Sequence, residues 1–130
     1  MTTKRKLKNY ELAHEYFEKA ISIKKKPEYY LTKGMAHFEM FELEDAEEAF
    51  LMSIELDGKD PTAQFFLSIC YMFMEREDEA TVHLKEAQKL NPKKTKQLLS
   101  NFYAIFIEHD NRISPLQKEK IDAKIKSIKV

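Results

Sequence analysis

The chain has 130 residues, of which 22 are basic and 22 are acidic, so its formal net charge is zero. This length suits one domain, and an apolar fraction of 43% supplies a core, which excludes wholesale disorder. With only two glycines, the chain is a poor candidate for β-barrels or glycine-rich phosphate loops, and its zero net charge argues against a nucleic-acid coat protein.

The N-terminal segment does not have the features of a secretion signal. Residues 1–8 are basic but no apolar signal core follows them. The single cysteine, Cys70, cannot form an internal disulfide, which fits a reducing compartment. The longest apolar stretch, residues 65–74, is about half of the roughly 20 residues that a membrane helix needs. These features predict a cytoplasmic protein without membrane insertion.

An internal repeat of 33 to 34 residues organises the chain. Small and large residues recur together at this spacing, and each unit contains two segments with the 3.6-residue periodicity of helices. Four prolines stand at segment starts, where a missing N–H group is harmless. The matched pairs include Pro27 with Pro61, Ala36 with Cys70, Ala46 with Ala80, Phe50 with Leu84, Ala13 with Ala46 and Phe17 with Phe50.

In chain order, this pattern predicts a single all-α domain over residues 1–130, with about seven helices. Residues 9–26 form a half repeat, and residues 27–60 and 61–92 form two full repeats. Residues 93–130 form capping helices, the first over about 94–108. The last helix begins at Ser114, which starts a capping box, and it has a narrow apolar stripe of Leu116, Ile121, Ile125 and Ile128.

The repeat resembles the tetratricopeptide repeat (TPR) family. The first full unit matches the family pattern at Tyr30, Gly34, Ala46 and Phe50, and the second matches it at Leu67, Ser68, Tyr71, Ala80 and Pro92. The resemblance implies a right-handed superhelical TPR-like solenoid of about two and a half repeats with C-terminal capping helices. It also implies a non-catalytic module that binds protein partners.

No catalytic, cofactor-binding or metal site is predicted, and we do not expect an enzyme. The four histidines are scattered along the chain, and none forms a His-x3-His pair. His37 falls at an aromatic packing position of the repeat, which favours a packed histidine over a base or a metal ligand. Cys70 falls at a helix-packing position, which predicts a buried thiol. The acidic clusters at residues 42–48 and 75–79 recur at the start of the second helix of each unit, where they interact favourably with the helix dipole.

The resemblance also implies a peptide-binding groove, because the first helix of each unit lines the inner face in this family. An apolar groove of this kind suits an apolar helical or extended peptide. We expect about half of the groove residues to pack between neighbouring repeats instead. The candidate groove residues are Leu31, Met35, Phe38, Phe65, Phe66, Ile69, Met72, Phe73, Leu99, Tyr103 and Phe106.

The sequence leaves two other possibilities for what covers the groove. A second copy could cover it, which would make the chain a homo-oligomeric structural scaffold, or the chain's own C-terminal helix could fold back into it. Residues 1–26 carry a net charge of +5, residues 27–92 of −10 and residues 93–130 of +5, so the basic ends could meet the acidic middle of another copy. The lysine-rich last helix lacks interleaved arginine or aromatic residues and is interpreted as a solvated cap, so no nucleic-acid partner is expected.

Overall fold

The computed structural model describes residues 10–16, 18–19 and 26–128, and the basic N-terminal residues and Phe17 of the repeat alignment lie outside this part. Helix α1 is described over residues 10–16 and 18–19, and the described residues contain no strand. The prediction of an all-α, TPR-like solenoid is confirmed. The other helices are α2 (Pro27–Glu39), α3 (Leu43–Leu56), α4 (Pro61–Phe73), α5 (Glu77–Leu90), α6 (Pro92–Phe102) and α7 (Pro115–Ser127).

Local sequence signals set the helix starts. Each of α2, α4, α6 and α7 begins with a proline, as predicted. The side chains of Asp60 and Asn91 accept backbone N–H bonds at the starts of α4 and α6. At the start of α7, Ser114 and Gln117 form the predicted capping box. These starts depend on residues close in sequence, which is why they could be predicted.

The core depends on small residues at the helix contacts. Helix α2 packs on α3, α3 on α4, and α4 on α5. Ala46 and Ala80 are 0% and 1% exposed, as expected for positions where two helices approach closely. Gly34 of α2 lies directly against the ring of Phe50 in α3. The repeat register predicted from the sequence therefore corresponds to the actual packing of these helices.

The helix after α5 is not the uninterrupted helix that the sequence predicts over residues 94–108. It is α-helical from Pro92 to Phe102 and then continues as a π-helical turn, Tyr103–Ile107. The N–H of Glu108 donates to the carbonyl of Tyr103, five residues earlier, at 2.8 Å. This wider turn places residues five apart above one another. Phe102 and Ile107 can therefore both be buried, at 5% and 0% exposure.

The C-terminal helix α7 joins the core of the solenoid. Ile121, Ile125 and Ile128 are buried in one apolar cluster with residues of α4 and α6, including Phe65 and Leu99. Leu116, the first residue of the predicted stripe, is 62% exposed. The apolar side of α7 thus covers part of the surface that the preceding helices leave open.

Among the described helices, none combines the length and the apolar composition that crossing a bilayer requires.

Candidate functional site

A cleft of about 650 Å³ opens between the end of α2, the end of α4, α6 with its π-helical turn, and the segment before α7. The Phe38 ring lies 5.7 Å from the ring of Phe73 and 5.7 Å from that of Phe102, measured between centroids. These spacings are typical of attractive ring pairs. The cleft is lined by Phe38, Met40, Phe41, Phe73, Phe102, Phe106 and Ile113, with Glu39, Asp110, Arg112 and Gln117 among its polar residues.

Phe41 stands out in this cleft because of its backbone conformation. Its φ of 62° lies in the left-handed region, in the turn between α2 and α3 where glycine is usual. Its side chain is 59% exposed and makes an edge contact with Phe73 at 5.9 Å. A large aromatic residue therefore occupies a strained position and presents its ring to the cleft. Such outliers cluster at ligand-binding sites.

Glu75 occupies the equivalent turn in the next repeat. It is 34 residues after Phe41, its φ is 61°, and it is exposed. The two turns share the same hydrogen bonds: the N–H of Glu42 reaches the carbonyl of His37, as the N–H of Arg76 reaches that of Tyr71. The left-handed conformation therefore belongs to the repeat, whereas the aromatic side chain belongs to the first turn alone.

The polar residues of the cleft are held by ion pairs and hydrogen bonds. Arg112 lies 2.8 Å from Asp110, and its guanidinium lowers the pKa of that carboxyl to about 2. On the opposite side, the hydroxyl of Tyr10 donates to Glu39, and this bond raises the pKa of Tyr10 to about 12. At neutral pH the Asp110 carboxylate is ionised beside an apolar surface, as in a polar rim around a hydrophobic site.

The predicted groove residues fall into three groups by burial and position. Phe38, Phe73 and Phe106 line the cleft, and Met72 and Phe73 line a second cleft of about 600 Å³ beside α7. Leu31, Met35, Phe66 and Tyr103 are half-buried against the core. Phe65, Ile69 and Leu99 are at most 1% exposed and pack between the repeats.

Besides the polar residues, the sequence did not predict four apolar residues of the main cleft: Met40, Phe41, Phe102 and Ile113. Three of them lie outside the first-helix positions that line the groove in the family pattern, in the turn after α2 or in the segment before α7. Phe102 lies in α6 but occupies a position where that pattern has a small residue. The 34-residue spacing from Phe41 to Glu75 offered a signal for the shared turn, although not for the aromatic side chain that it presents.

The second cleft lies between the α4–α5 turn and α7. Lys120 of α7 lies 3.9 Å from Glu77, and the Nζ of Lys124 lies 3.5 Å from the hydroxyl oxygen of Thr81. The basic last helix thus lies beside the acidic start of α5 in the same chain. The charge complementarity between the acidic middle and the basic C-terminal end is satisfied in part within one molecule.

Two histidines that are distant in the sequence meet beside α2. The ring centroids of His14 and His37 are 4.1 Å apart, and the Nδ1 of His37 lies 3.1 Å from a carboxylate oxygen of Glu42. Burial and the neighbouring His37 lower the pKa of His14, so its imidazole is neutral at pH 7. The prediction that His37 packs against a neighbouring side chain agrees with this contact. The pairing with His14 was not predicted, because the two residues belong to different helices.

Cys70 and His83 are packed against neighbouring side chains in the repeats. Cys70 is fully buried, and burial raises the pKa of its thiol to about 12, so it is protonated at neutral pH and is a poor nucleophile. The Nδ1 of His83 lies 2.7 Å from the side-chain oxygen of Gln64, and burial lowers the pKa of His83. Since an amide oxygen only accepts hydrogen bonds, Nδ1 carries the proton in this pair.

Comparison with known proteins agrees with the repeat architecture. The family model described as tetratricopeptide repeat matches residues 2–27, 27–60 and 61–94. The TPR repeat-containing protein MJ1428 of Methanocaldococcus jannaschii is 39% identical over 62 residues, which is 48% of this chain. That match spans 11% of the length of the relative. The chain belongs to the tetratricopeptide repeat family, whose repeats are a scaffold for protein–protein interaction.

Proposed function

We propose that the protein is a non-catalytic module that binds an apolar helical or extended peptide in the cleft lined by Phe38, Phe41, Phe73, Phe102 and Phe106. The observation that carries this proposal is Phe41, an exposed aromatic residue held in a left-handed conformation at the cleft. A residue that costs folding free energy and leaves its ring in solvent is readily explained if the ring contacts a ligand.

The size and chemistry of the cleft support this proposal. Its volume of about 650 Å³ lies in the range typical of ligand sites, and its walls are mainly aromatic. Phe106 is 46% exposed, so two rings are available without rearrangement of the core. Asp110 and Arg112 supply polar groups at the edge, where they can orient a peptide main chain or a polar flanking residue.

A peptide library displayed on phage tests the proposal. We expect selection on the wild-type chain to enrich sequences with large apolar residues at helical or alternate spacing. The enriched peptides are then measured against Phe41→Asn, which removes the ring and suits the left-handed conformation. We expect at least tenfold weaker binding, with a folded and equally helical protein.

Two control variants distinguish binding in this cleft from non-specific hydrophobic binding. Val82 in α5 is 57% exposed and does not line the cleft, so Val82→Asp should leave peptide affinity unchanged. Glu75→Gly relieves the same backbone strain without removing an aromatic ring and should also bind normally. The proposal is wrong if no peptide is enriched, or if Phe41→Asn binds the enriched peptides as well as the wild type does.

We infer that residues 1–130 act as one unit, with residues 9–26 as a half repeat, 27–60 and 61–92 as repeats and 93–130 as capping helices. We also infer a cytoplasmic protein without nucleic-acid partners. The buried thiol of Cys70 supports a non-enzymatic role, because burial keeps it protonated and a protonated thiol is a poor nucleophile.

A second candidate function is a self-assembling scaffold in which another copy covers apolar surface. The observation in its favour is the outer face of α1, where Leu12 is 50% and Tyr16 is 79% exposed. Large apolar side chains exposed together favour an interface. The burial of Ile121, Ile125 and Ile128 supports a third alternative for part of the apolar surface. There the chain's own C-terminal helix α7 is the cover.

Light scattering after size exclusion, across a concentration series, tests the scaffold. Self-assembly predicts a mass that rises to a dimer or higher, and Tyr16→Glu should return the protein to a monomer. A monomer at every concentration rules out the scaffold and leaves the peptide-binding module.

A further inference from the structure

The cluster of His14, His37 and Glu42 joins three parts of the chain: α1, α2 and the turn into α3. One ligand atom from each residue can be chosen so that all three lie within 4.8 Å of one another. Zinc bound to nitrogen and oxygen at about 2.0–2.2 Å holds neighbouring donor atoms roughly 3.3 Å apart. Small side-chain rotations would therefore bring the three donors to coordination distance.

One ring nitrogen of His14 has no hydrogen bond among the described residues. Within the part of the chain that the structure describes, the Nε2 of His14 is buried and meets no hydrogen-bond partner. A buried polar atom without a partner is costly and calls for an explanation, such as an ion. The side chain of His37 is 15% exposed and that of Glu42 is 41% exposed, so the cluster remains open to solvent on one side.

The next repeat shows what occupies the equivalent place. By the repeat spacing, His14 corresponds to Glu47, His37 to Tyr71 and Glu42 to Arg76. There the guanidinium of Arg76 lies 3.2 Å from Glu47 and 4.5 Å from the centre of the Tyr71 ring. In the second repeat, a cation at one of the three positions thus contacts the side chains at the other two.

The first repeat has donors at all three of these positions but no cation among them. Two imidazoles and a carboxylate replace the carboxylate, phenol and guanidinium. The nearby ammonium of Lys33 is paired with Glu18, so its charge is already balanced. The cluster therefore supplies ligands where the next repeat supplies its own positive charge.

We propose that His14, His37 and Glu42 bind a divalent transition-metal ion of the zinc type, which fastens α1 to the first full repeat. Two imidazole nitrogens and one carboxylate oxygen form a ligand set that suits Zn²⁺ and its neighbours rather than Mg²⁺ or Ca²⁺. Three protein ligands leave a coordination position for water. The ion takes the place that the Arg76 guanidinium has in the next repeat, and its role is structural.

Calorimetric titration of the untagged, metal-free chain with Zn²⁺ tests this proposal. We expect one ion per chain, with at least tenfold weaker binding in His14→Ala and in His37→Ala. The exposed His109 offers a matched control, since its side chain is 87% exposed and His109→Asn should bind Zn²⁺ as the wild type does. Zn²⁺ should also slow proteolysis within α1 in the wild type and in His109→Asn, but not in His14→Ala or His37→Ala.

Glu42→Arg keeps the test decisive if the alanine variants fold poorly. This variant introduces the cation of the second repeat, so we expect a folded chain that binds Zn²⁺ at least tenfold more weakly. Changes in the imidazole NMR signals on adding Zn²⁺ should be confined to His14 and His37. The proposal is overturned if the wild type binds no Zn²⁺, if binding survives in both Glu42→Arg and His14→Ala, or if only the signals of His109 respond.

Discussion

The contact between Gly34 and Phe50 makes a sharp prediction about the packing of α2 on α3. A Cβ atom at position 34 would lie 2.5 Å from Cε1 and 2.6 Å from Cδ1 of the Phe50 ring. Carbon atoms in contact are normally about 3.5–4.0 Å apart, so the ring or the helix must move by about 1 Å. Phe50 is 0% exposed and its ring stacks on that of Phe66, with centroids 5.8 Å apart. Since protein interiors are close-packed, this movement displaces neighbouring side chains.

Gly34→Ala therefore has two opposing effects on the free energy of unfolding. Alanine in a helix interior is about 1 kcal/mol more favourable than glycine. Overpacking a well-filled core costs about 1–3 kcal/mol or more, and a displacement of about 1 Å against a buried ring belongs at the upper end. We expect a net loss of about 2 kcal/mol. For a chain of this length, that loss lowers the melting temperature by about 6–10 °C.

Urea and thermal denaturation followed by circular dichroism measure this loss. Gly58→Ala is the matched control, because a Cβ there would meet only the Ile54 carbonyl oxygen at an ordinary 3.5 Å. We expect it to change stability by less than about 1 kcal/mol. Phe50→Leu should reduce the cost of Gly34→Ala, since a smaller side chain leaves room for the methyl group. Equal stability of Gly34→Ala and the wild type would refute the packing argument.

Three further predictions concern other parts of the fold. Phe41→Asn and Glu75→Gly should each raise the free energy of unfolding by up to about 1 kcal/mol, because both residues hold a left-handed conformation. Urea denaturation measures this change, and a loss of stability in both variants would contradict the strain argument. Ala80→Phe should lower the melting temperature by more than 10 °C or prevent folding, since Ala80 is 1% exposed at a helix contact, and wild-type melting would contradict the repeat register. Burial lowers the pKa of His83 below its ordinary 6.5, so the folded state resists protonation and stability should fall as the pH drops below about 6.5. His83→Gln should flatten that dependence between pH 5 and 7, and an NMR titration of His83 at or above 6.5 would contradict it.

Much of the fold could be predicted because its determinants are local or periodic. The repeat spacing identified the positions where Ala46 and Ala80 allow helices to approach, and both are buried. The prolines and the Ser114 capping box located helix starts, since a cap acts on the next few N–H groups of the same helix. The family pattern also placed Phe38 and Phe73 near a groove, because first helices of successive repeats share one face.

The candidate site was only partly accessible to the same reasoning. Phe41 lines the cleft because it adopts a left-handed conformation in the turn between α2 and α3. That turn contains no glycine, so the sequence does not indicate this conformation. Phe102 and Ile107 share the core because a π-helical turn realigns them, whereas regular α-helical spacing would point them to different sides. These features depend on how side chains from different helices pack together, which the local sequence does not show.

The sequence by itself determined the repeat, the helix starts and the small-residue contacts, since each depends on spacing along one chain segment. The tertiary structure alone decided that His14 meets His37 and Glu42, that α7 and the residue after it bury three isoleucines beside the repeats, and that Phe41 faces a cleft. Those contacts involve side chains on different helices and turns, so the periodicity of a single helix does not predict them. Their formation depends on the angles at which neighbouring helices pack, and those angles emerge only when all the helices are in place.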